Sequence, residues 1–216
     1  YYPKGTILSS TDMFEIEVAG KGGHAASPHL AIDPISTAAH IILALQSLQV
    51  KAVPPDQNVV LNVCQMESGS ATNIIPDQAR LWGTLRTFDN QLCRTIQERM
   101  KQAVTYTAQA LGASAQLRFT EHCPCTYNDP GLAEALAECL TSFGTEFVTQ
   151  PNYRLQVSDD FGFYSQQVPS VMFLLGCCPE EGKCYPNHNP YVRYNEKILT
   201  TGAALLAHCA YEWLRR

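Results

Sequence analysis

The stretch GKGGHAASPH, residues 20–29, places a histidine in a loop rich in glycine. An exposed imidazole can donate a hydrogen bond to a developing oxyanion, and it titrates near neutral pH. His24 is therefore a candidate catalytic residue, and the alternative is a loop histidine that only caps a backbone group. The other histidines considered, His40, His122 and His208, are interpreted as structural.

Asn73 and Arg86 are the second pair of candidate residues. Asn73 precedes the turn IIPD, and Arg86 lies in the strand that follows this turn. Alternation along the strand predicts that Leu81 and Leu85 share the core face, whereas Arg86 points away from it. The planar guanidinium of Arg86 can bind a carboxylate through two parallel hydrogen bonds. The alternative for Arg86 is a solvated surface arginine.

His188 is the third candidate, in the segment YPNHNPYVRYNE after the apolar run SVMFLLG. Ligands in α/β folds lie at the carboxyl ends of the strands, and imidazole is the commonest metal ligand. A zinc centre uses about three or four ligands, so one histidine does not make a site. Asp159 and Asp160 are interpreted as a helix start.

The segments that position His24, Asn73 and Arg86 alternate between strand and helix. The first helix should begin at Asp33 as N-cap and Pro34, with positions 35, 38, 42 and 45 on its apolar face, and Gly112 should end the second helix. The predicted elements are strand 13–18, the first helix, strands 58–66 and 78–88, helix 90–111 and strand 115–119. This order predicts a ferredoxin-like sandwich of two helices on an antiparallel sheet, at about residues 7–121.

The remainder of the chain, residues 122–216, has a different pattern. A helix is expected to start at Asp129 and Pro130 and to end at Gly144, and a final helix is expected over 196–214. The apolar run 170–176 predicts a strand that is covered on both faces. Because one such strand cannot form a stable sheet, this part is interpreted as a portion of a larger α/β domain.

Composition excludes several classes of function. The net charge of −5 and the pI near 5.6 argue against binding to nucleic acid or to an anionic membrane. No apolar run reaches the roughly 18 residues that cross a bilayer. Nine cysteines without a CxxC pair are interpreted as free thiols, which favours a cytoplasmic location. Because the chain starts without methionine or signal-peptide features, we expect a fragment or a processed product.

Five stretches, in this order, resemble the dinuclear-metal amidohydrolases: the aminoacylases, hippurate hydrolases and auxin-conjugate (indoleacetyl-amino-acid) hydrolases. They are GKGGHAASPHLAIDPI, TNIIPDQARLWGTLRTFD, CPCTYNDP, SDDFGFY and HNPYVRYNEKIL. The resemblance implies an α/β catalytic domain that is interrupted by a ferredoxin-like lid domain. This chain would comprise the lid and dimerisation domain, 7–121, and the C-terminal part of the catalytic domain, 122–216, without the N-terminal half.

The resemblance also implies roles for single residues. His24 matches a lid histidine that polarises the scissile carbonyl and often reaches the partner subunit's active site. Asn73 and Arg86 match lid residues that bind the substrate and its carboxylate, and His188 matches a metal ligand. Asp159 stands where the family more often has glutamate. The family holds two divalent metals (zinc, manganese or cobalt), and its other metal ligands and its catalytic glutamate belong to the half that this chain lacks.

Together these features predict part of a metal-dependent amidohydrolase that cleaves N-acyl amino acids or related small amides. The resemblance implies a homodimer that forms through the lid domain. The chain alone is expected to be inactive, because most of the metal ligands are missing. The alternative is a non-catalytic ferredoxin-like module for dimerisation or ligand sensing.

Overall fold

The structure is a computed structural model that describes residues 4–143 and 153–215. These residues form two compact units. The first unit contains Thr6–Thr126 and Arg154–Tyr164, and the second unit contains the rest of the described chain. In the described residues, no helix combines the length and the apolar character needed to cross a membrane.

Strands and helices alternate in the order that the sequence predicts for the first unit. The strands are β1 (Gly5–Leu8), β2 (Thr11–Ala19), β3 (Gly23–His24), β4 (Val59–Ser68), β5 (Ile74–Ile75), β6 (Gln78–Thr87), β7 (Ser114–Cys123) and β8 (Thr126–Asn128). The helices are α1 (Pro34–Ala52), α2 (Asn90–Ala110), α3 (Pro130–Ser142), α4 (Phe161–Ser165) and α5 (Lys197–Leu214), with a short 3-10 helix at Pro28–Leu30.

The first unit contains a four-stranded antiparallel sheet with the strand order β4-β6-β2-β7. Ile16 in the central strand β2 pairs with Leu81 on one side and with Leu117 on the other. The alternate residues of β2 and β6 are buried against α1 and α2. The fully buried side chains of this core include Phe14, Ile16, Val18, Ile41, Leu45, Leu81, Leu85, Ile96 and Met100. The predicted fold class is confirmed, and Arg86 lies on strand β6 of this sheet, whereas His24 and Asn73 lie outside it, in and beside the short β3-β5 pair.

Aspartate side chains cap the N-termini of the helices α1, α2 and α3. Asp33 accepts a hydrogen bond from the Ile35 N–H at 2.9 Å, and Asp129 accepts one from the Leu132 N–H at 2.8 Å. Asp89 caps α2 in the same way. Such caps are each worth about 1 kcal/mol, because they satisfy N–H groups that the helix leaves unpaired. The predicted starts of α1 and α3 are confirmed.

The buried face of α1 differs from the predicted one. Ile35 is 40% exposed, and Ile42 is only partly buried, whereas Ile41 is fully buried. The buried positions are 34, 37, 38, 41 and 45. Positions 38 and 45 are therefore buried as predicted, whereas 34, 37 and 41 complete the stripe in place of 35 and 42.

The second unit contains α3 and α5, which pack through Cys139, Leu140, Leu205 and Cys209. The predicted helix end at Gly144 lies outside the described residues. The predicted strand 170–176 is wrong: in the described chain this segment belongs to no strand, and its apolar side chains are only partly buried.

The Asn128 side chain makes two hydrogen bonds to the backbone of the segment 170–176. It donates to the Met172 carbonyl and accepts from the Met172 N–H, both at 2.8 Å. A backbone hydrogen bond joins the Asp129 N–H to the Ser170 carbonyl at 2.9 Å. A strand needs a neighbour along much of its length, and one amide side chain satisfies only a single residue.

Cys178 and Cys184 form a disulfide, so the prediction that all nine cysteines are free thiols is wrong for this pair. Both residues lie in the exposed loop CCPEEGKC, where a sequence separation of 6 lets the two side chains meet. The free cysteines are Cys64, Cys93, Cys123, Cys125, Cys139, Cys177 and Cys209.

Candidate functional site

The His24 loop is attached to the start of β6 by a short ladder. Strand β3 pairs antiparallel with β5, so that His24 lies opposite Ile74. The Ala25 N–H then donates to the Asn73 carbonyl at 3.0 Å. The structure therefore brings His24 and Asn73 together at one end of the sheet, and both are exposed.

Two glycines let the loop approach this segment closely. A Cβ at Gly20 would lie 2.2 Å from the Ile32 carbonyl oxygen, and a Cβ at Gly22 would lie 2.8 Å from a carboxylate oxygen of Asp77. The Gly20 N–H donates to the Asp77 carbonyl, and the Gly22 N–H donates to the Asp77 carboxylate, both at 2.8 Å. The glycines are needed because a side chain at position 20 would collide with the Ile32 carbonyl, and one at position 22 would collide with Asp77.

The imidazole of His24 has one nitrogen engaged and the other available. Nδ1 accepts a hydrogen bond from the Ala26 N–H at 3.1 Å, and the His24 carbonyl accepts one from the Ser27 N–H at 2.8 Å. Because Nδ1 is an acceptor, this hydrogen bond assigns the proton of the neutral ring to Nε2. An exposed Nε2–H is the group that can donate to the oxygen of a polarised carbonyl.

An open cleft of about 970 Å³ adjoins the His24 ring. Its walls are residues 22–24, residues 67–70 at and just after the end of β4, and residues 74–80. On the open face of the sheet, Arg80 lies 3.4 Å from the Glu17 carboxylate. The cleft has the volume of a small-molecule site, which commonly ranges over about 300–1,000 Å³, and it offers both apolar and polar groups.

Arg86 lies on the face that alternation predicts, away from the helices, and it is half-buried. Its guanidinium donates to the Thr11 hydroxyl. Arg86 is at the opposite end of β6 from the His24 loop. From Ala79 to Arg86 the strand rises by about 23 Å at its usual rise per residue. Within one chain, the structure therefore does not bring Arg86 to His24 and Asn73.

His188 lies in the second unit, in an exposed turn where its φ of 66° is left-handed. The Asn189 N–H donates to the Pro186 carbonyl at 3.2 Å, and the Asn189 side chain accepts from the Tyr191 N–H at 2.9 Å. Across residues 4–143 and 153–215, no group of three or more His, Cys, Asp or Glu side chains could hold a metal ion. A metal at His188 would therefore need ligands from beyond the described residues.

Asp159 caps a helix, as the sequence predicts. Its carboxylate accepts from the Phe161 N–H, and its carbonyl accepts from the Gly162 N–H, both at 2.9 Å. Both bonds hold the first turn of α4. The Asp159 carbonyl also accepts from the Cys123 thiol at 3.3 Å. These partners give Asp159 a structural role at the start of this helix.

The three histidines interpreted as structural each bond to a neighbour within their own unit. His40 Nδ1 lies 2.8 Å from the Ser36 carbonyl oxygen, one helical turn away. His122 Nδ1 lies 2.6 Å from an Asp12 carboxylate oxygen, and His208 Nε2 lies 3.0 Å from the Ser142 hydroxyl. The sequence did not single out Asp77, although it ends the IIPD turn, where an acidic side chain after proline is a common acceptor for backbone N–H groups.

Known proteins match the whole of this chain. Residues 9–110 match the M20 peptidase dimerisation domain. The chain is 34% identical over 95% of its length to thermostable carboxypeptidase 2 of Saccharolobus solfataricus, and 31% identical to an N-acetylcysteine deacetylase of Bacillus subtilis and a hippurate hydrolase of Campylobacter jejuni. It covers 51%, 53% and 55% of these proteins, so the chain spans about half the length of the curated relatives it matches.

Solved structures give the same result. An aminohydrolase structure from methicillin-resistant Staphylococcus aureus superposes with a TM-score of 0.93 at 27% identity, covering 99% of this chain and 55% of that one. The Bacillus subtilis YXEP protein, a dinuclear metal-binding peptidase of the M20 family, superposes with a TM-score of 0.75 at 28% identity, covering 96% of this chain and 51% of that one. Residues 9–110 of the first unit thus resemble a peptidase dimerisation domain. Along nearly its whole length, the chain is similar to about half of a peptidase of the M20 family.

Proposed function

We propose that this chain is the lid domain (7–121) and the C-terminal part of the catalytic domain (122–216) of an M20 amidohydrolase that hydrolyses N-acyl amino acids or related small amides. The observation that carries the proposal is the His24 imidazole, which is exposed, has Nδ1 fixed by the Ala26 N–H and keeps Nε2–H free. The names of the deacetylase and hippurate hydrolase relatives support the substrate class.

In this proposal His24 donates from Nε2 to the carbonyl oxygen of the scissile amide as negative charge develops there. Asn73 is exposed beside His24 and binds the substrate near that carbonyl. Arg86 binds the free carboxylate of the amino acid and so orients the amide. Each role requires a side chain that can reach the substrate.

The separation along β6 then requires two copies of the chain. An N-acyl amino acid is much shorter than the roughly 23 Å between Ala79 and Arg86, so the His24 and Arg86 side chains of one lid cannot both contact the same substrate molecule. In a twofold homodimer, His24 of one protomer can act with Arg86 of the other. The unpaired edge strands β4 and β7 offer backbone groups for such pairing.

The family resemblance supports two divalent metals (zinc, manganese or cobalt) in the whole enzyme, with His188 as one ligand. The described residues do not fit such a centre by themselves. We therefore propose that the remaining ligands belong to the half of the relatives that this chain does not span. A cytoplasmic location stays a prediction, supported by the seven free cysteines and opposed by the Cys178–Cys184 disulfide. We propose no nucleic-acid or membrane partner.

The role of His24 is tested in the protein extended by the half that its relatives contain. His24→Ala should lower kcat on an N-acyl amino acid by about 100- to 1,000-fold with little change in KM, because the hydrogen bond strengthens only in the transition state. His29→Ala, which changes another exposed histidine of the same loop, is the matched control. Equal losses in both variants, or unchanged turnover in His24→Ala, would reject the role, and no turnover by the extended wild-type protein would favour the non-catalytic module.

A further inference from the structure

The ladder between β2 and β6 is interrupted just before His24. Ala19 pairs with Gln78, and the next pair is Gly23 with Ile75. Between these pairs, three residues on one side, 20–22, stand opposite two on the other, 76 and 77. The two backbones therefore cannot stay in register. Pro76 has no N–H to donate. A side chain must supply the hydrogen bond that a regular ladder would make.

Asp77 supplies that bond. Its backbone carbonyl accepts from the Gly20 N–H, and its carboxylate accepts from the Gly22 N–H, each at 2.8 Å. The absence of a Cβ at Gly22 lets the carboxylate lie directly against the backbone, since a Cβ would be 2.8 Å from Oδ1. A carboxylate acceptor makes a stronger hydrogen bond to a backbone N–H than a neutral acceptor does.

From this geometry we propose that Asp77 is a positioning residue for His24. The carboxylate fixes the backbone at Gly22, two residues before His24 and just before β3 begins. From there the ladder continues to the bond between the Ala25 N–H and the Asn73 carbonyl. The Ala26 N–H, next in the chain, holds Nδ1 of the His24 ring. Asp77 acts through this backbone and does not itself contact substrate.

The inference deepens the proposed function and rests on it only for the effect on turnover. Asp77 is exposed, so its removal leaves the Gly22 N–H to water and should cost little global stability. The loss should instead appear as local opening of the loop. Local opening is measurable by amide hydrogen exchange in the chain as it stands, with no metal, substrate or activity required.

Amide exchange followed by NMR tests the proposal in the wild-type chain and three variants. In Asp77→Ala, the Gly22 and Ala25 amides should exchange about tenfold faster, because one charge-assisted hydrogen bond no longer closes the loop. The Gly20 amide should keep its rate, since its acceptor is the backbone carbonyl of residue 77. Asp77→Asn keeps an acceptor oxygen and should restore nearly wild-type rates. Asp56→Ala, an exposed aspartate in another turn, should change none of these amides.

Unchanged Gly22 and Ala25 rates in Asp77→Ala would overturn the proposal. Equal acceleration at Gly20 would also overturn it, because the end of the sheet would then be fraying as a whole. If Asp77→Asn did not restore the rates, the hydrogen-bond mechanism would be overturned, and the negative charge of Asp77 would be what holds the loop closed. These outcomes do not depend on whether the protein is an amidohydrolase.

Turnover by the extended protein gives the second readout. Asp77→Ala should lower kcat about tenfold with KM nearly unchanged, and it should add no further loss to His24→Ala, since both act through one imidazole. An additive loss would overturn the positioning role. If His24→Ala itself leaves turnover intact, the proposed function fails, and the exchange rates alone decide the role of Asp77.

Discussion

The thiol of Cys93 donates a hydrogen bond to the buried carboxylate of Asp12, with 3.0 Å between Sγ and Oδ2. The other carboxylate oxygen accepts from Gln97 Nε2 at 2.8 Å and from His122 Nδ1 at 2.6 Å. Asp12 is completely buried, and an unpaired carboxylate there would be costly. Three donors from α2 and β7 therefore hold the start of β2 in place.

This environment makes the Cys93 thiol inert. Burial, with the hydrogen bond to Asp12 and its negative charge, raises the pKa of Cys93 to about 12. Burial also raises the pKa of Cys125 to about 11. Because the thiolate is the reactive form, iodoacetamide at about pH 8 should modify neither residue in the folded chain, whereas the exposed Cys64 should react. Peptide mass spectrometry after a timed quench measures this.

The same protocol in denaturant, without reductant, is the control for reactivity. There Cys93 and Cys125 should become modified, and Cys178 and Cys184 should stay protected by their disulfide. Modification of folded Cys93 at the rate of Cys64 would contradict its burial against Asp12. Modification of Cys178 without reductant would contradict the disulfide.

The raised thiol pKa values also predict a loss of stability in alkali. The ordinary thiol value is 9.0, and the folded values are about 12 and about 11. Below about pH 9 both states keep the proton, so this contribution to stability is fully present. Above about pH 9 the thiols ionise first in the unfolded chain. The free energy of unfolding therefore falls until the pH is high enough for the thiols of the folded chain to ionise too. Urea midpoints at pH 8 and pH 10 should therefore differ, with a smaller difference in Cys93→Ala than in Cys64→Ala.

Arg86 should determine recognition of the substrate carboxylate. In the extended protein, Arg86→Lys keeps the charge but loses the planar pair of donors, so KM should rise at least about tenfold for an N-acyl amino acid. For the corresponding N-acyl amino acid amide, which lacks the carboxylate, KM should change little. Thr11→Val removes the hydroxyl that accepts from Arg86 and controls for local disturbance. Equal effects of Arg86→Lys on the acid and the amide would exclude the role.

Local sequence signals predicted most of the fold. Asp–Pro pairs mark the starts of α1 and α3 because the cap and the proline act within one turn. The strand 170–176 was predicted wrongly, because a strand is defined by its neighbours and not by its own apolar residues. In the candidate site, a glycine-rich loop indicated His24. The sequence does not indicate the role of Asp77, because its partner Gly22 is distant in sequence. The Asp12–Cys93 pair likewise joins residues that only tertiary packing brings together.

Dimerisation should be a property of the first unit. Strands β4 and β7 are the edges of its sheet, and a free edge favours pairing with a second copy. Analytical ultracentrifugation of the chain at micromolar concentration should give a mass near twice 23.9 kDa. The Asp56→Ala variant, changed in the turn that precedes β4 and not in an edge strand itself, should sediment like the wild type. A monomer throughout the micromolar range would refute the dimer and, with it, the pairing of His24 and Arg86 across protomers.

The final prediction concerns the metal. This chain should bind divalent metal weakly and should have no metal-dependent turnover, because a catalytic zinc uses about three protein ligands and His188 has no cluster of further ligands among the described residues. Cys178 and Cys184, the cysteines nearest to it in sequence on the preceding side, cannot offer thiolates while they are joined. Zinc, cobalt and manganese titrated by calorimetry without reductant should bind no tighter than about micromolar.

Two variants make the metal measurement specific. His188→Ala should leave the weak binding nearly unchanged, and His29→Ala, an exposed histidine of the first unit, should behave in the same way. When the missing half is supplied, binding should strengthen by at least about 100-fold, and His188→Ala should then remove most of that gain, because the loss of one ligand leaves the others in place but opens the centre. Submicromolar binding by this chain alone that disappears in His188→Ala would show that its residues already form a metal site.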